Sequence, residues 1–511
     1  MQMRRITTLL VLFLLFLGQI SAQYETKINS LDTYFEKSVK NWNVPGVAIG
    51  IVKDGKVIFA KGYGVQEIGK KDKVDENTIF GIASNTKAFT SAALSILVEE
   101  KKIDWDQKLV EVMPNIKLYN DYVTQNITIR DLLSHRAGYK TFSGDLLWVA
   151  TKYNRKEIIE RLEYLQPTYP FRYKFGYSNL MFLVAGEIIP QVTDKSYDEF
   201  LKENIFQPLG MDNTVTSISG FDKIDNLAKP HIEIDGKQQA IEYISWDNIA
   251  PAGGINSNVT DMTKWITMLL NKGEFNETQI INKDELEVLW TPETPQSIGY
   301  YDKTFFKSKH FHSYGMGWDL FDYKGVKVIN HAGGLDGMIS QVAIIPELDL
   351  GFVILTNSIN YLGDALMYSI IDEFTDGVTA DYAGTYRTQY MAYMDYMKNK
   401  SEKEENARTK DTKPSLDLSK YVGTYSGKLY GDATISLKNG ELFIVLEPAP
   451  QFNSKLSHWG NDVFSIKFEE FISLPKGTVS FILNDKKEIT ELIVDLPNPD
   501  FDFTELKFYK K

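Results

Sequence analysis

Residues 396–415 read YMKNKSEKEENARTKDTKPS. Apolar side chains all but vanish across them, so the stretch has no face to bury and reads as a charged linker. It divides the 511-residue chain into two regions with different patterning. Before it, strands stand at both ends with helices between. Residues 47–52 and 57–60 are apolar runs joined through Asp54-Gly55, which predicts a hairpin. A helical pattern runs from Ser84 to about Glu100, with Phe89, Ala92, Ala93, Ile96 and Leu97 on its apolar side. Helices and loops alternate to about residue 300, and strands return at 328–330, 341–345 and 351–355. One antiparallel sheet, closed by the two ends of the region and flanked by helices, gives a mixed α+β domain over 23–395. From residue 416 the pattern is all β. Strand-like runs at 421–425, 433–437, 442–446, 463–468, 479–483 and 489–494 predict a small antiparallel sheet or barrel over 416–511.

Composition removes several kinds of chemistry. The chain has no cysteine, which excludes disulfides, thiolate metal sites and a cysteine nucleophile. Its formal net charge is −12 and no long Lys/Arg block interrupts it, so nucleic acid is not an expected partner. At the N-terminus, Arg4 and Arg5 precede an apolar run over 6–17, and Ile20-Ser21-Ala22 follows. That order predicts a cleaved signal peptide over 1–22 and an exported protein, periplasmic or secreted. The run is shorter than the roughly 20 residues of a spanning helix, and no later segment is long and apolar enough, so no membrane span is expected after cleavage.

The strongest local chemical signal is Ser84-Asn85-Thr86-Lys87, where a helix begins. Positions i and i+3 share a helix face, so the Lys87 amine can reach the Ser84 hydroxyl. A serine hydroxyl is a poor nucleophile until a base takes its proton. The free N–H groups and positive dipole end of a helix N-terminus favour negative charge developing beside it. The pattern is short, and chance supplies about two or three matches in a chain of this size. One other is present, Ser473-Leu474-Pro475-Lys476, but it lies in the β region and contains proline.

Two further groups add weight. Tyr177-Ser178-Asn179 stands in a loop before the apolar helix 180–189: a tyrosine can serve as a base, and an amide two residues on can orient a carbonyl or a lysine. Taken alone, it reads as a buried structural tyrosine beside a helix-capping Ser or Asn. His331-Ala332-Gly333-Gly334 follows a strand, and its glycines let backbone approach a ligand and an N–H meet an oxyanion. Taken alone, it reads as a turn.

In this order and at these intervals, the three resemble the S-x-x-K, Y-x-N and K/H-x-G boxes of the serine β-lactamase and penicillin-binding-protein superfamily. Leu132-Leu133-Ser134-His135-Arg136-Ala137-Gly138, Pro251-Ala252-Gly253-Gly254 and Tyr314-Gly315-Met316-Gly317-Trp318 look like further segments of that family. The likeness covers about 28–375 and is nearest the class C, esterase and D-aminopeptidase branch. The tail resembles small β-barrel domains appended to some of these enzymes.

The resemblance implies an acyl-enzyme on Ser84, with Lys87 and Tyr177 sharing the proton work in an order left open. It implies substrate contacts from Asn179, His331, Gly333 and Gly334, and an oxyanion hole from the N–H groups of Ser84 and Gly334. It implies no metal or organic cofactor, and a small ester or amide as substrate, resolved by water or by another acceptor.

There is one departure from the family pattern. Where β-lactamases and transpeptidases of this kind usually carry lysine, His331 stands, and histidine is mostly neutral near pH 7. That favours ester or peptide substrates over β-lactams. Tyr139, Tyr314 and Trp318 are candidates for an acyl pocket or for packing, His135 reads as structural, and His310-Phe311-His312 reads as surface loop or a metal pair. A non-catalytic binding protein on the same fold, or a tail that docks to cell wall or glycan, are the competing readings.

Overall fold

The computed structural model describes residues 24–511 apart from 235, 376, 378, 379, 409–411 and 499. The expected signal peptide lies outside the described residues.

Eight antiparallel strands form the main sheet. Their order is Lys56–Gly64, Gly46–Lys53, Leu350–Thr356, Met338–Ile345, Val326–Leu335, Asp319–Tyr323, His312–Tyr314 and Thr294–Pro295. The hairpin at Asp54-Gly55 is present. Its first strand pairs with Leu350–Thr356, Val47 opposite Thr356 and Lys53 opposite Leu350, so the two ends of the region close one sheet as expected. Both of these strands are almost wholly buried, which requires cover on both faces. One face carries the helix over 24–42 and the helix Leu362–Thr375, with Phe35, Trp42, Leu366 and Ile370 in their shared core. The other carries the helix Val259–Leu270 and, beyond it, the helical region around Thr86–Glu99. Trp265 of the first stacks on Phe89 of the second with ring centroids 4.0 Å apart, and both are buried.

The charged stretch read as a linker is helical as far as Ala407, the end of a helix beginning at Tyr382. Lys, Glu and Ala are good helix formers, so losing apolar periodicity removed a buried face without removing helix propensity. Among the described residues, no helix is long and apolar enough to cross a membrane.

The tail is a closed barrel of eight antiparallel strands, Gly423–Gly427 through Phe508–Lys510, sealed where Tyr425 pairs with Lys510. Six strands were expected. The two extra ones, Asn453–Gly460 and Phe508–Lys510, are a mostly polar strand and a three-residue one. Tyr425, Ile435, Ile444, Val479, Phe481 and Leu492 are buried in the barrel, which at this strand number is filled by side chains. The barrel sits against the segment 140–153 of the first domain. Tyr153 Oη donates to Tyr430 O at 2.7 Å and Lys152 N to Pro448 O at 2.9 Å.

Candidate active site

Ser84 lies in a 3₁₀ turn, Ala83–Asn85, that runs straight into the helix Thr86–Glu99. Ala83 has φ +46°, a left-handed conformation that costs a residue with a Cβ about 1 kcal/mol or more. Surrounding bonds hold it there. Ile82 N donates to Ile255 O, and Ser340 Oγ donates to Ile82 O at 2.6 Å while accepting from Asn85 Nδ2 at 2.8 Å. Ser84 itself is half-buried and faces a cavity.

Lys87 is one helical turn on and fully buried. Its Nζ is 3.1 Å from Ser84 Oγ, 2.7 Å from Asn179 Oδ1 and 2.8 Å from Ala252 O. The amide and carbonyl oxygens can only accept, whereas the serine hydroxyl can donate or accept. A neutral amine therefore gives its two protons to Asn179 and Ala252 and turns its lone pair to Ser84. Burial holds the lysine well below its usual pKa, with the Asp145 carboxylate pulling the other way. The ring of Tyr177 lies over the amine, its centroid 4.7 Å from Nζ. Burial raises the Tyr177 phenol above its ordinary range, opposed in part by the neighbouring Ser84 hydroxyl. Of the two candidate bases, lysine is thus made easier to deprotonate and tyrosine harder.

The Y-x-N loop is held by the segment 128–138. His135 is buried with φ +56°, and its Nδ1 accepts from Ser178 N at 3.1 Å. Its ring lies 4.3 Å from that of Tyr177, so the structural reading of His135 stands. Ser178 caps the helix Asn179–Gly186, its hydroxyl accepting from Met181 N. The cap and the site residue are therefore neighbours in one loop.

Val326–Leu335 passes beside the serine. A Cβ on Gly333 would fall 2.2 Å from Ile82 O and 2.9 Å from Ser84 N, so only glycine allows this approach. Gly334 follows, exposed at the cavity. Similarly, Gly317 at φ +82° lies where a Cβ would meet Ser91 Oγ and Lys87 O, seating the Tyr314–Trp318 segment on the helix of Lys87. His331 is buried. Ala332 O can only accept, so His331 Nδ1 carries the proton at 2.6 Å from it and Nε2 accepts from Tyr314 Oη at 2.8 Å. Burial, and then the charge of Lys87, lower its pKa to about 4, which keeps it uncharged at neutral pH.

Seven sequence candidates, Ser84, Lys87, Tyr177, Asn179, His331, Gly333 and Gly334, therefore converge on one cavity or its immediate wall. Tyr314 lines the same cavity, whereas Tyr139 and Trp318 are packed in the core. His310 and His312 instead meet Asp322 and Asp319, and among the described residues no three His, Asp or Glu side chains are placed to hold a metal. Ser473 and Lys476 are exposed in the barrel, the lysine paired with Glu405.

Two participants escaped the sequence. The Ala252 carbonyl is backbone, invisible to any side-chain pattern. Asp145 is 2% exposed, accepts from Asn179 Nδ2 at 2.6 Å through one oxygen, and has no hydrogen-bond partner on the other among the described residues. Burial raises it to about 7. Its only local signal is an acid directly before the apolar run Leu146–Val149.

The cavity is about 750 Å³. Asp302, Asp319, Asp336, Asp364 and Asp500 line it besides Asp145, against one lysine among the described lining residues, Lys309, which pairs with Asp302 at 3.0 Å. Burial and the neighbouring Asp500 raise Asp336 to about 6.

The helix-covered antiparallel sheet is an architecture shared with other solved structures. The octameric penicillin-binding protein homologue from Pyrococcus abyssi superposes with a TM-score of 0.60 at 21% identity, covering 94% of this chain and 100% of that one. A structure of SurE gives 0.56 at 17%, covering 96% and 100%. At these identities the likeness is one of fold. The sequence profile of the Beta-lactamase family matches residues 31–366, and the chain belongs to that family. A second profile, described as a domain of unknown function (DUF3471), matches residues 407–510. The Unguisins hydrolase ungD' of Aspergillus campestris is 30% identical over 79% of this chain and 78% of its own length. Its namesake ungD from Aspergillus violaceofuscus is 29% identical over 78% and 76%. Protein flp of Staphylococcus aureus is 27% identical over 64% and 62%.

Proposed function

We propose that this protein is an exported serine hydrolase that forms an acyl-enzyme on Ser84 and takes uncharged or cationic ester and amide donors. The observation that carries the reading is the placement of the buried Lys87 amine 3.1 Å from Ser84 Oγ, with two obligate acceptors occupying its protons. Lys87 takes the hydroxyl proton as Oγ attacks the carbonyl carbon. The oxyanion is met by the N–H groups of Ser84 and Gly334. Tyr177, kept as a phenol, passes a proton towards the leaving group, and Lys87 replenishes it. Water then attacks the acyl carbon, its proton returns through the same pair, and Ser84 is released. An amine or alcohol in place of water would make the same site a transferase.

The cavity's charge supports the choice of donor. Penicillins and cephalosporins carry a carboxylate, and here the third box offers a neutral His331 and a wall of aspartates. Two relatives are named hydrolases of unguisins, which agrees with a hydrolase. Export rests on the order of residues 1–22.

Intact-mass spectrometry of the purified protein with p-nitrophenyl esters, D-amino-acid amides, a penicillin and a cephalosporin tests this reading. A fluorophosphonate is run alongside. The expected result is a phosphonate adduct and ester or amide turnover in wild type, both lost in Ser84→Ala, with β-lactams the poorest donors. Labelling that survives Ser84→Ala, or a wild type inert to every donor and to the phosphonate, would overturn it.

A further inference from the structure

The C-terminal barrel does more than follow the first domain. The loop 140–148 supplies Thr141, Phe142, Asp145 and Trp148 to the cavity, and its outer side is held by barrel residues. Glu505 accepts from Ser143 Oγ at 2.7 Å through one oxygen and from Gly144 N at 2.8 Å through the other. Lys140 pairs with Asp502 and lies 3.5 Å from Glu505. The segment that bears these acids also enters the cavity itself: Asp500 and Phe501 line it together with Ser84.

Phe501 meets Trp148 edge-on, ring centroids 6.5 Å apart, and Trp148 packs at 4.6 Å on Trp246, which lines the cavity too. Burial raises the carboxyl of Asp336 and the phenol of Tyr361, and Asp500 adds to both shifts. Two domains thus share one cavity, and one end of it is an aromatic corner made by Trp148, Trp246 and Phe501. Trp148 is buried while Phe501 and Trp246 are only partly so, leaving aromatic surface for an apolar guest.

We propose that Phe501 of the barrel is a specificity-determining residue: with Trp148 and Trp246 it forms a subsite for a bulky apolar or aromatic group of the acyl donor. This rests on the serine-hydrolase reading for its kinetics but not for its binding. A small donor such as an acetyl ester leaves the corner empty, whereas a long or aromatic acyl chain fills it. Removing the phenyl ring then costs the large donor selectively, through KM. Glu505 acts through the loop 140–148 as a positioning residue, and its loss moves the same preference in the same direction.

The test compares the full-length protein with Phe501→Ala, Phe501→Leu and Glu505→Gln. Each is assayed on p-nitrophenyl acetate, octanoate and phenylacetate, which share a leaving group. The expected outcome is that the octanoate-to-acetate and phenylacetate-to-acetate ratios of kcat/KM fall about tenfold or more in Phe501→Ala. The loss sits in KM, and Phe501→Leu recovers the octanoate ratio but not the phenylacetate ratio. In parallel, the neutral fluorophore N-phenyl-1-naphthylamine is titrated into Ser84→Ala with and without Phe501→Ala, where its affinity should weaken by about the same factor. Ratios unchanged by Phe501→Ala in an active enzyme overturn the subsite, as does probe affinity indifferent to Phe501. A wild type without turnover or labelling, but with Phe501-dependent probe binding, overturns the hydrolase reading and leaves the subsite standing. Melting curves of each variant separate misfolding from loss of the corner.

Discussion

Lys87 and Asp145 form the most sharply balanced pair in the site. Both are buried, they are joined through the Asn179 amide, and each charge favours the other's ionised form. Such a pair titrates together, and neither group's behaviour belongs to it alone. Asp145→Asn keeps an oxygen to accept from Asn179 but removes the negative charge that holds a proton on Lys87. The amine then loses its proton at lower pH. The acid limb of the pH profile of kcat/KM should move down by about 1 pH unit, the size expected for losing one close opposite charge. A limb that stays put would mean that another group sets it. Which of Lys87 and Tyr177 takes the first proton was open in the sequence, because both sit at legal spacings. Burial supports the proposed role of lysine, because it pushes an amine and a phenol in opposite directions.

At the scale of elements, the helix Ile129–Leu133 matters more than its length suggests. Thr128 caps it and Asp131 completes a capping box. The same carboxylate, fully buried, pairs with Arg136 at 2.6 Å and Arg172 at 2.6 Å, ahead of the turn that delivers His135 to the Tyr177 loop. Asp131→Ala would uncap a helix end and take one buried carboxylate from Arg136, which keeps Glu293, and from the part-exposed Arg172. It should cost about 2–3 kcal/mol in urea unfolding, for the lost cap and the lost charged hydrogen bonds, because the arginines left behind are part-exposed and keep other partners. A loss under about 1 kcal/mol would show that water replaces it, as for an exposed pair. Element type was readable wherever apolar periodicity was strong, as in the hairpin at Asp54-Gly55, the helix after Ser84 and the strand before His331. It failed where pairing partners alone decide. Phe508–Lys510 is a strand because Tyr425 and Leu492 flank it.

At the scale of the whole molecule, the two domains do not have separate cores. One continuous buried cluster runs from Phe89, Trp265 and Leu147 through Tyr430 and Phe503 to the barrel interior. Glu505, Asp502 and Tyr430 pin the same face with polar contacts. Calorimetry of the full chain should therefore give a single cooperative transition, with Glu505→Ala lowering its midpoint and separating an earlier barrel transition. Two well-resolved peaks in wild type would mean that the domains are tethered, not fused.

The sequence by itself determined the α+β and all-β halves and the order of the Ser84, Tyr177 and His331 boxes. Each of these is local: a helix turn sets the Ser84–Lys87 distance, and apolar spacing sets which face is buried. Only the tertiary structure decided the rest. It brought Asp145 and the Ala252 carbonyl to Lys87 and left His331 uncharged in the dark of the core. It also placed Phe501, more than 400 residues along the chain from Ser84, in the wall of the same cavity. The physical reason is common to all three. Desolvation and long-range contact depend on which surfaces meet in space, and a residue's neighbours in sequence carry no record of that.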